Sequence, residues 1–178
     1  MNRASLNCML RTIKSYLYIP ITVLSAFFVF KVLLLPGIVP TASMEPTIRA
    51  GSFYMASRVT YAIQGPQRGK IVLFRDRAEG NKIGYVKRII GMPGDNIRIS
   101  QGKVYVNGAE LDESEYLPDC VYTEAGNCEE YQVPEGYFFV LGDNRDDSND
   151  SRYMKDPFVS GSDMYAYPLF YVQIPGWH

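Results

Sequence analysis

Three short runs carry the residues able to do chemistry: Ser43-Met44-Glu45-Pro46-Thr47, Tyr85-Val86-Lys87-Arg88-Ile89-Ile90-Gly91-Met92-Pro93-Gly94-Asp95 and Gly142-Asp143-Asn144-Arg145-Asp146-Asp147-Ser148-Asn149-Asp150-Ser151-Arg152. They offer a hydroxyl, an amine and a polar loop. The single histidine, His178, is the last residue, which argues against a serine activated by imidazole. Lysine is the remaining general base for a serine.

An ammonium with a pKa near ~10.4 is a poor base, so Lys87 has to be desolvated to act. Tyr85, Val86, Ile89 and Ile90 supply apolar surroundings, and on a strand Lys87 shares a face with Tyr85 and Ile89. A drop of about two pKa units corresponds to roughly 3 kcal/mol. A hydroxyl orients a neutral amine without stabilising the ammonium as a carboxylate would, which makes Ser148 the natural partner and predicts that Asp143, Asp146, Asp147 and Asp150 keep away from Lys87. Asp143 and Asp150 are expected to pair with Arg88, Arg145 or Arg152, forming a polar wall that positions Ser148.

In this order, downstream of an apolar stretch, the three runs resemble the type I signal peptidase family of membrane-bound serine proteases, over roughly Thr41 to Arg152. The resemblance implies Ser43 as nucleophile, Lys87 as general base, Ser148 as the orienting hydroxyl, and Thr41 helping the Ser43 backbone N–H bind the oxyanion. It implies an endopeptidase without metal or cofactor that removes signal peptides with Ala-x-Ala-like ends from exported precursors. Val39, Met44, Ile48, Tyr85 and Val86 are candidates to line the substrate pockets, core packing being the alternative for each. An extended substrate pairing with the Lys87 strand is the expected binding mode.

The chain departs from the family pattern at Arg68-Gly69-Lys70, where Arg-Gly-Asp is usual, at Gly51-Ser52, where Gly-Asp is common, and at Tyr153-Met154-Lys155-Asp156-Pro157, where a glycine is common. These departures leave open a specialised relative, such as a peptidase maturing pilin-type precursors beside conjugation or secretion machinery. The family's fold is mainly β, with an exposed apolar face near the site that dips toward the bilayer.

The elements that must position these residues follow from patterning. Tyr16 to Leu35 is apolar apart from Lys31 and a few hydroxyl or proline residues, and at about 1.5 Å per residue is just long enough to cross a ~30 Å hydrocarbon layer. It is expected to be one transmembrane helix (16–35), with Pro20 tolerated near its first turn and Lys31 snorkelling. By the positive-inside tendency Arg3, Arg11 and Lys14 are expected to keep the tail 1–15 in the cytoplasm, with residues 36–178 as a domain outside, and the resemblance implies a bacterial cytoplasmic membrane. A cleavable secretory signal is the competing reading, weakened by the length of the apolar run.

A chain of 178 residues holds one ordinary domain beyond that anchor. A formal net charge of −1 gives no reason to expect nucleic acid. The 14 tyrosines and 9 phenylalanines, alternating with polar residues, suit an antiparallel β domain. Strands are expected over 52–59, 70–74, 83–90, 96–100, 103–107 and 137–141, with turns at Gln101-Gly102, Asn107-Gly108 and 133–136. The acidic stretch 109–132 reads as a loop or small insertion. Cys120 and Cys128 within it are expected to form a disulfide on the oxidising side, free thiols being the alternative; no zinc ligand set is apparent.

Three rival readings remain. The acidic loop offers oxygen ligands for calcium at Asp143, Asn144, Asp146 and Asp150, but it contains two arginines and lacks a closing bidentate glutamate. A self-cleaving Ser/Lys repressor should carry a DNA-binding region in place of an anchor. A noncatalytic, membrane-tethered β module has no reason to bury an unpaired lysine, at a cost of several kcal/mol.

Overall fold

A computed structural model describes residues 3–75 and 84–174. The chain opens with helix α1 (Arg3–Phe28), passes through one π-helical turn (Val29–Leu33) and enters strand β1 (Leu34–Ile38) without a linker. There follow β2 (Ser52–Ser57), α2 (Arg58–Gln64), β3 (Ile71–Arg75), β4 (Gly84–Gly91), β5 (Asn96–Ser100) and β6 (Lys103–Val106). The chain continues with β7 (Ala109–Glu110), β8 (Glu130–Gln132), β9 (Tyr137–Leu141), β10 (Val159–Ser160) and β11 (Met164–Gln173).

The strands form a seven-stranded sheet, ordered β1-β2-β11-β3-β4-β9-β10, and a four-stranded sheet, β7-β6-β5-β8. Their pairings are antiparallel. Alternation along the central strands puts Val72, Phe74, Ile89 and Val140 in one core cluster. Ile90, Phe139 and Leu141 face the other way and pack with Ile97, Ile99 and Val104 of the small sheet. The β5–β6 hairpin turns through Gln101 (φ 53°) and Gly102 (φ 80°), a left-handed pair that closes a two-residue loop.

Several expectations need correction. The run 16–35 is not one helix, since the α-helix ends at Phe28 and Leu34 and Leu35 already pair with Ser57 and Ala56. Among the described residues no helix is long and apolar enough to cross a membrane. Tyr16 to Phe28 spans only about 20 Å at 1.5 Å per residue, against a hydrocarbon core of about 30 Å. The helix already starts at Arg3, so Pro20 lies in its interior and not near its first turn.

The strand expected over 52–59 stops at Ser57, whose hydroxyl accepts the Thr60 N–H at 3.1 Å and caps α2. Ile83, expected to begin a strand, lies outside the described residues. The stretch 109–132 contributes two short strands, β7 and β8. Cys120 and Cys128 are free, exposed thiols and not a disulfide. The Cys128 thiol donates instead to the Glu130 carbonyl at 3.0 Å. The segment between the cysteines is held by arginines: Arg145 donates to Thr123 Oγ1 at 2.6 Å, and the Arg152 carbonyl accepts the Asn127 N–H at 3.0 Å.

Candidate active site

Ser43 lies in the loop that joins β1 to β2. That loop is closed at its base, where the Val39 N–H donates to the Ser52 carbonyl at 2.9 Å and the Gly51 N–H to the Val39 carbonyl at 2.8 Å. Inside it a tight turn forms, the Glu45 N–H reaching the Ala42 carbonyl at 3.0 Å and the Ile48 N–H reaching the Met44 carbonyl at 2.8 Å. The turn points Met44 and Ile48 into the core beside Val39, Ile71 and Val86. Both are nearly inaccessible, at 0% and 1% exposure, and neither stands on the wall of the cleft above Ser43. Of the expected pocket residues, Val39, Tyr85 and Val86 line that cleft.

Lys87 comes from β4, directly opposite Val72 of β3 and flanked on its own face by Tyr85 and Ile89. It is 3% exposed, and its Nζ donates to Ser43 Oγ at 2.6 Å. Burial lowers its pKa from 10.5 to about 8, against the opposing pull of the Asp150 and Asp143 charges. Thr41 Oγ1 lies 3.3 Å from Ser43 Oγ. A cleft of about 430 Å³ opens over these groups, lined also by Pro40, Ala42, Gly84, Asp147 and Asn149.

Ser148 is buried nearby, but its Oγ has no hydrogen-bond partner among the described residues. The expected bond from Ser148 to Lys87 is therefore not formed, the amine being directed at Ser43 instead. Gly142 explains how closely these groups pack. A Cβ there would lie 2.1 Å from Ser148 Oγ and 2.4 Å from the Ser43 carbonyl oxygen, so only glycine fits.

The polar wall resolves into separate pairs. Arg88 donates to both carboxylate oxygens of Asp143, at 2.8 and 2.6 Å, and Arg152 to both of Asp150, at 2.9 Å each. Arg145 pairs with neither aspartate but with Glu113, a residue that sequence reasoning missed. Asp150 also accepts the Gly142 N–H at 2.9 Å. With Asp143 and Asp150 taken up by arginines, no group of three or more His, Cys, Asp or Glu among the described residues is placed to hold a metal ion.

Asn144, which the sequence suggested only as an oxygen ligand for calcium, instead holds the nucleophile loop. Its backbone N–H donates to the Ser43 carbonyl at 3.1 Å and its side-chain amide to the Ala42 carbonyl at 3.2 Å. The signal was its place one residue after an aspartate in a loop held by its own side chains.

A hydroxyl in contact with a desolvated amine, on an antiparallel β scaffold, is a serine–lysine site of the kind that can attack a carbonyl. A family model described as signal peptidase, peptidase S26 matches residues 10–168, and the chain belongs to that family. It is 41% identical over 122 residues to a probable signal peptidase I-2 of Synechocystis, covering 65% of this chain and 53% of that one. To a signal peptidase I of Pseudomonas aeruginosa it is 33% identical, covering 70% and 56%. The chain thus spans about half the length of these two relatives. Against signal peptidase I U of Bacillus subtilis it is 30% identical over 172 residues, covering 89% of this chain and 90% of the relative.

Proposed function

We infer that this chain is a type I signal peptidase, an endopeptidase that removes leader peptides from exported precursors. The observation that carries this reading is the 2.6 Å contact between Lys87 Nζ and Ser43 Oγ inside a cleft. With Lys87 neutral, the same contact runs in reverse, the hydroxyl donating to the amine lone pair. Ser43 Oγ attacks the scissile carbonyl as Lys87 takes its proton, forming a tetrahedral oxyanion. The Ser43 backbone N–H and the Thr41 hydroxyl are the donors for that oxyanion. The ammonium returns its proton to the leaving amine, and a water deprotonated by Lys87 then hydrolyses the acyl-enzyme. Ser148, with its hydroxyl uncommitted, offers the acceptor that fixes the Lys87 rotamer while Ser43 reacts.

Val39, Tyr85 and Val86 give the cleft apolar walls suited to small apolar side chains before the cut. Because β9 pairs with β4 only from Arg88 onward, an extended peptide has room beside Gly84 and Val86. Membrane attachment is part of this reading. Helix α1 is apolar and exposed on every side from Tyr16 to Phe28, which suits lipid rather than water. The rows Ile38–Phe53–Val172 and Pro36–Met55–Phe170 share one face of the β1-β2-β11 ribbon, with Ile38, Phe170 and Val172 well exposed. Helix and ribbon together present the apolar surface by which the molecule would attach to a membrane beside the site.

The test is cleavage of a precursor with an Ala-x-Ala junction by protein in detergent micelles. Ser43→Ala and Lys87→Ala should each lose at least about a thousandfold in rate. Cleavage that survives Lys87→Ala, or is abolished by chelators alone, overturns the reading.

A further inference from the structure

The acidic segment after β7 reads as an insertion with no chemistry, yet it sends Glu113 into the back of the loop that follows β9. Glu113 accepts two hydrogen bonds from the Arg145 guanidinium, at 3.0 and 2.5 Å, and one from the Tyr116 hydroxyl at 2.8 Å. Arg145 is wholly buried and also donates to the Gly142 carbonyl at 3.0 Å. Tyr116 carries the second arm. The Arg88 guanidinium sits 3.7 Å from the centre of its ring, and Arg88 holds both oxygens of Asp143.

The two arms therefore meet on consecutive residues, Gly142 and Asp143. The next residue, Asn144, grips the carbonyls of Ala42 and Ser43, and Gly142 packs against the Ser43 carbonyl and Ser148 Oγ. Charge pairing makes Glu113 hard to replace. The other two buried arginines already occupy Asp143 and Asp150, so without Glu113 the Arg145 cation is left buried and unpaired. An unpaired buried guanidinium is strongly destabilising, and of the two arginine-paired aspartates Asp143 also accepts the Thr47 hydroxyl of the nucleophile loop at 2.5 Å.

We propose that Glu113 is a positioning residue for the Ser43–Lys87 pair, fixing the 142–144 segment against the nucleophile through Arg145 and Tyr116. The inference rests on the serine–lysine reading above. Its effect belongs to catalysis rather than to binding, because the substrate cleft is lined by other residues.

The experiment compares wild type, Ser43→Ala, Glu113→Gln, Glu113→Asp, Arg145→Met and the Glu113→Gln/Arg145→Met double variant, measuring kcat, KM and thermal unfolding in micelles. Glu113→Gln should lower kcat by about ten- to a hundredfold, the range a small misplacement of reacting groups produces, with KM within about twofold. Glu113→Asp should recover part of the loss. The double variant should be no worse than the worse single one, since both act on one link. Wild-type kcat in folded Glu113→Gln, or losses that simply multiply, overturns the proposal while leaving the serine–lysine reading intact. A wild type that does not cleave, or cleavage that survives Ser43→Ala, takes both readings down. Should Glu113→Gln fail to fold, Tyr116→Phe decides, because it removes only the hydroxyl. A kcat about threefold lower at unchanged KM supports the proposal, and a wild-type kcat overturns it.

Discussion

Lys87 and Arg88 are neighbours on one strand, both cationic in type and both buried, and they have opposite fates. Arg88 points at Asp143 and is held by a two-pronged ion pair with a further bond to the Gly69 carbonyl at 2.6 Å. Lys87 points at Ser43 and at the Val72, Tyr85 and Ile89 side of the sheet, with no carboxylate in contact among the described residues. One buried cation has its charge compensated by a carboxylate, and the other, with none in contact, is pushed toward neutrality by burial. The contrast teaches that burial alone does not make a base. What makes one here is burial together with the commitment of the buried carboxylates Asp143 and Asp150 to arginines.

The most severe way to break this contrast is to make the two sides alike. Lys87→Arg places a guanidinium that cannot deprotonate beside Ser43, and cleavage should fall at least about a thousandfold while the fold survives. Retained activity in that variant would show that no proton leaves residue 87. Next in size is the other side. Asp143→Ala strands Arg88 without its partner and should cost about 3–5 kcal/mol of stability, read from urea unfolding in micelles.

The desolvation of Lys87 should itself be visible in stability. Its folded pKa, about 8, lies below its unfolded value of 10.5, so between these values the unfolded chain binds more protons and stability rises with pH. Lys87→Met should therefore be more stable than wild type below pH 8, by about 3 kcal/mol, and the advantage should vanish toward pH 10.5. A constant difference across that window would mean that Lys87 is not neutralised by folding. In the same way kcat should rise with pH and level off above about 8.

The smallest expected effect sharpens the comparison instead of breaking it. Asn149 lines the cleft with Lys87, and Asn149→Asp places one carboxylate where the protein keeps none paired to the amine. The midpoint of the kcat profile should move up by roughly one pKa unit. An unmoved midpoint would show that solvent screens position 149 from the amine.

Where a residue's role depended on its own strand or turn, the sequence was readable. Lys87 between apolar neighbours, the Gln101-Gly102 and Asn107-Gly108 turns and strands β5, β6 and β9 are local matters of alternation and left-handed backbone. Roles set at long range were not readable. Glu113 reaches Arg145 across 32 residues, and nothing local distinguishes it from Glu115. Met44 and Ile48 look like pocket residues by their nearness to Ser43, yet the turn around 42–48 buries them.

Helix α2 was misread because Val59 continues a strand-like alternation, while the Ser57 cap that stops it needed Thr60 three residues on. Strand β11 was missed altogether. Pro168 argues against a strand, but it sits at a bulge, which is where a ladder tolerates a residue lacking an N–H.

The absence of a linker between the helical segment and β1 has a consequence for where this molecule can cut. Leu34 to Ile38 is a rigid five-residue rung, about 17 Å long at 3.3 Å per residue, so Ser43 stands at a fixed altitude above the last helical turn. That altitude cannot be adjusted one residue at a time. A single insertion beside Leu35 would turn the side chains on one side of it to the opposite face and strip Leu35 from its contact with Ala56. Changes of stature have to come in pairs, so the distance from helix to blade is quantised in steps of roughly 7 Å.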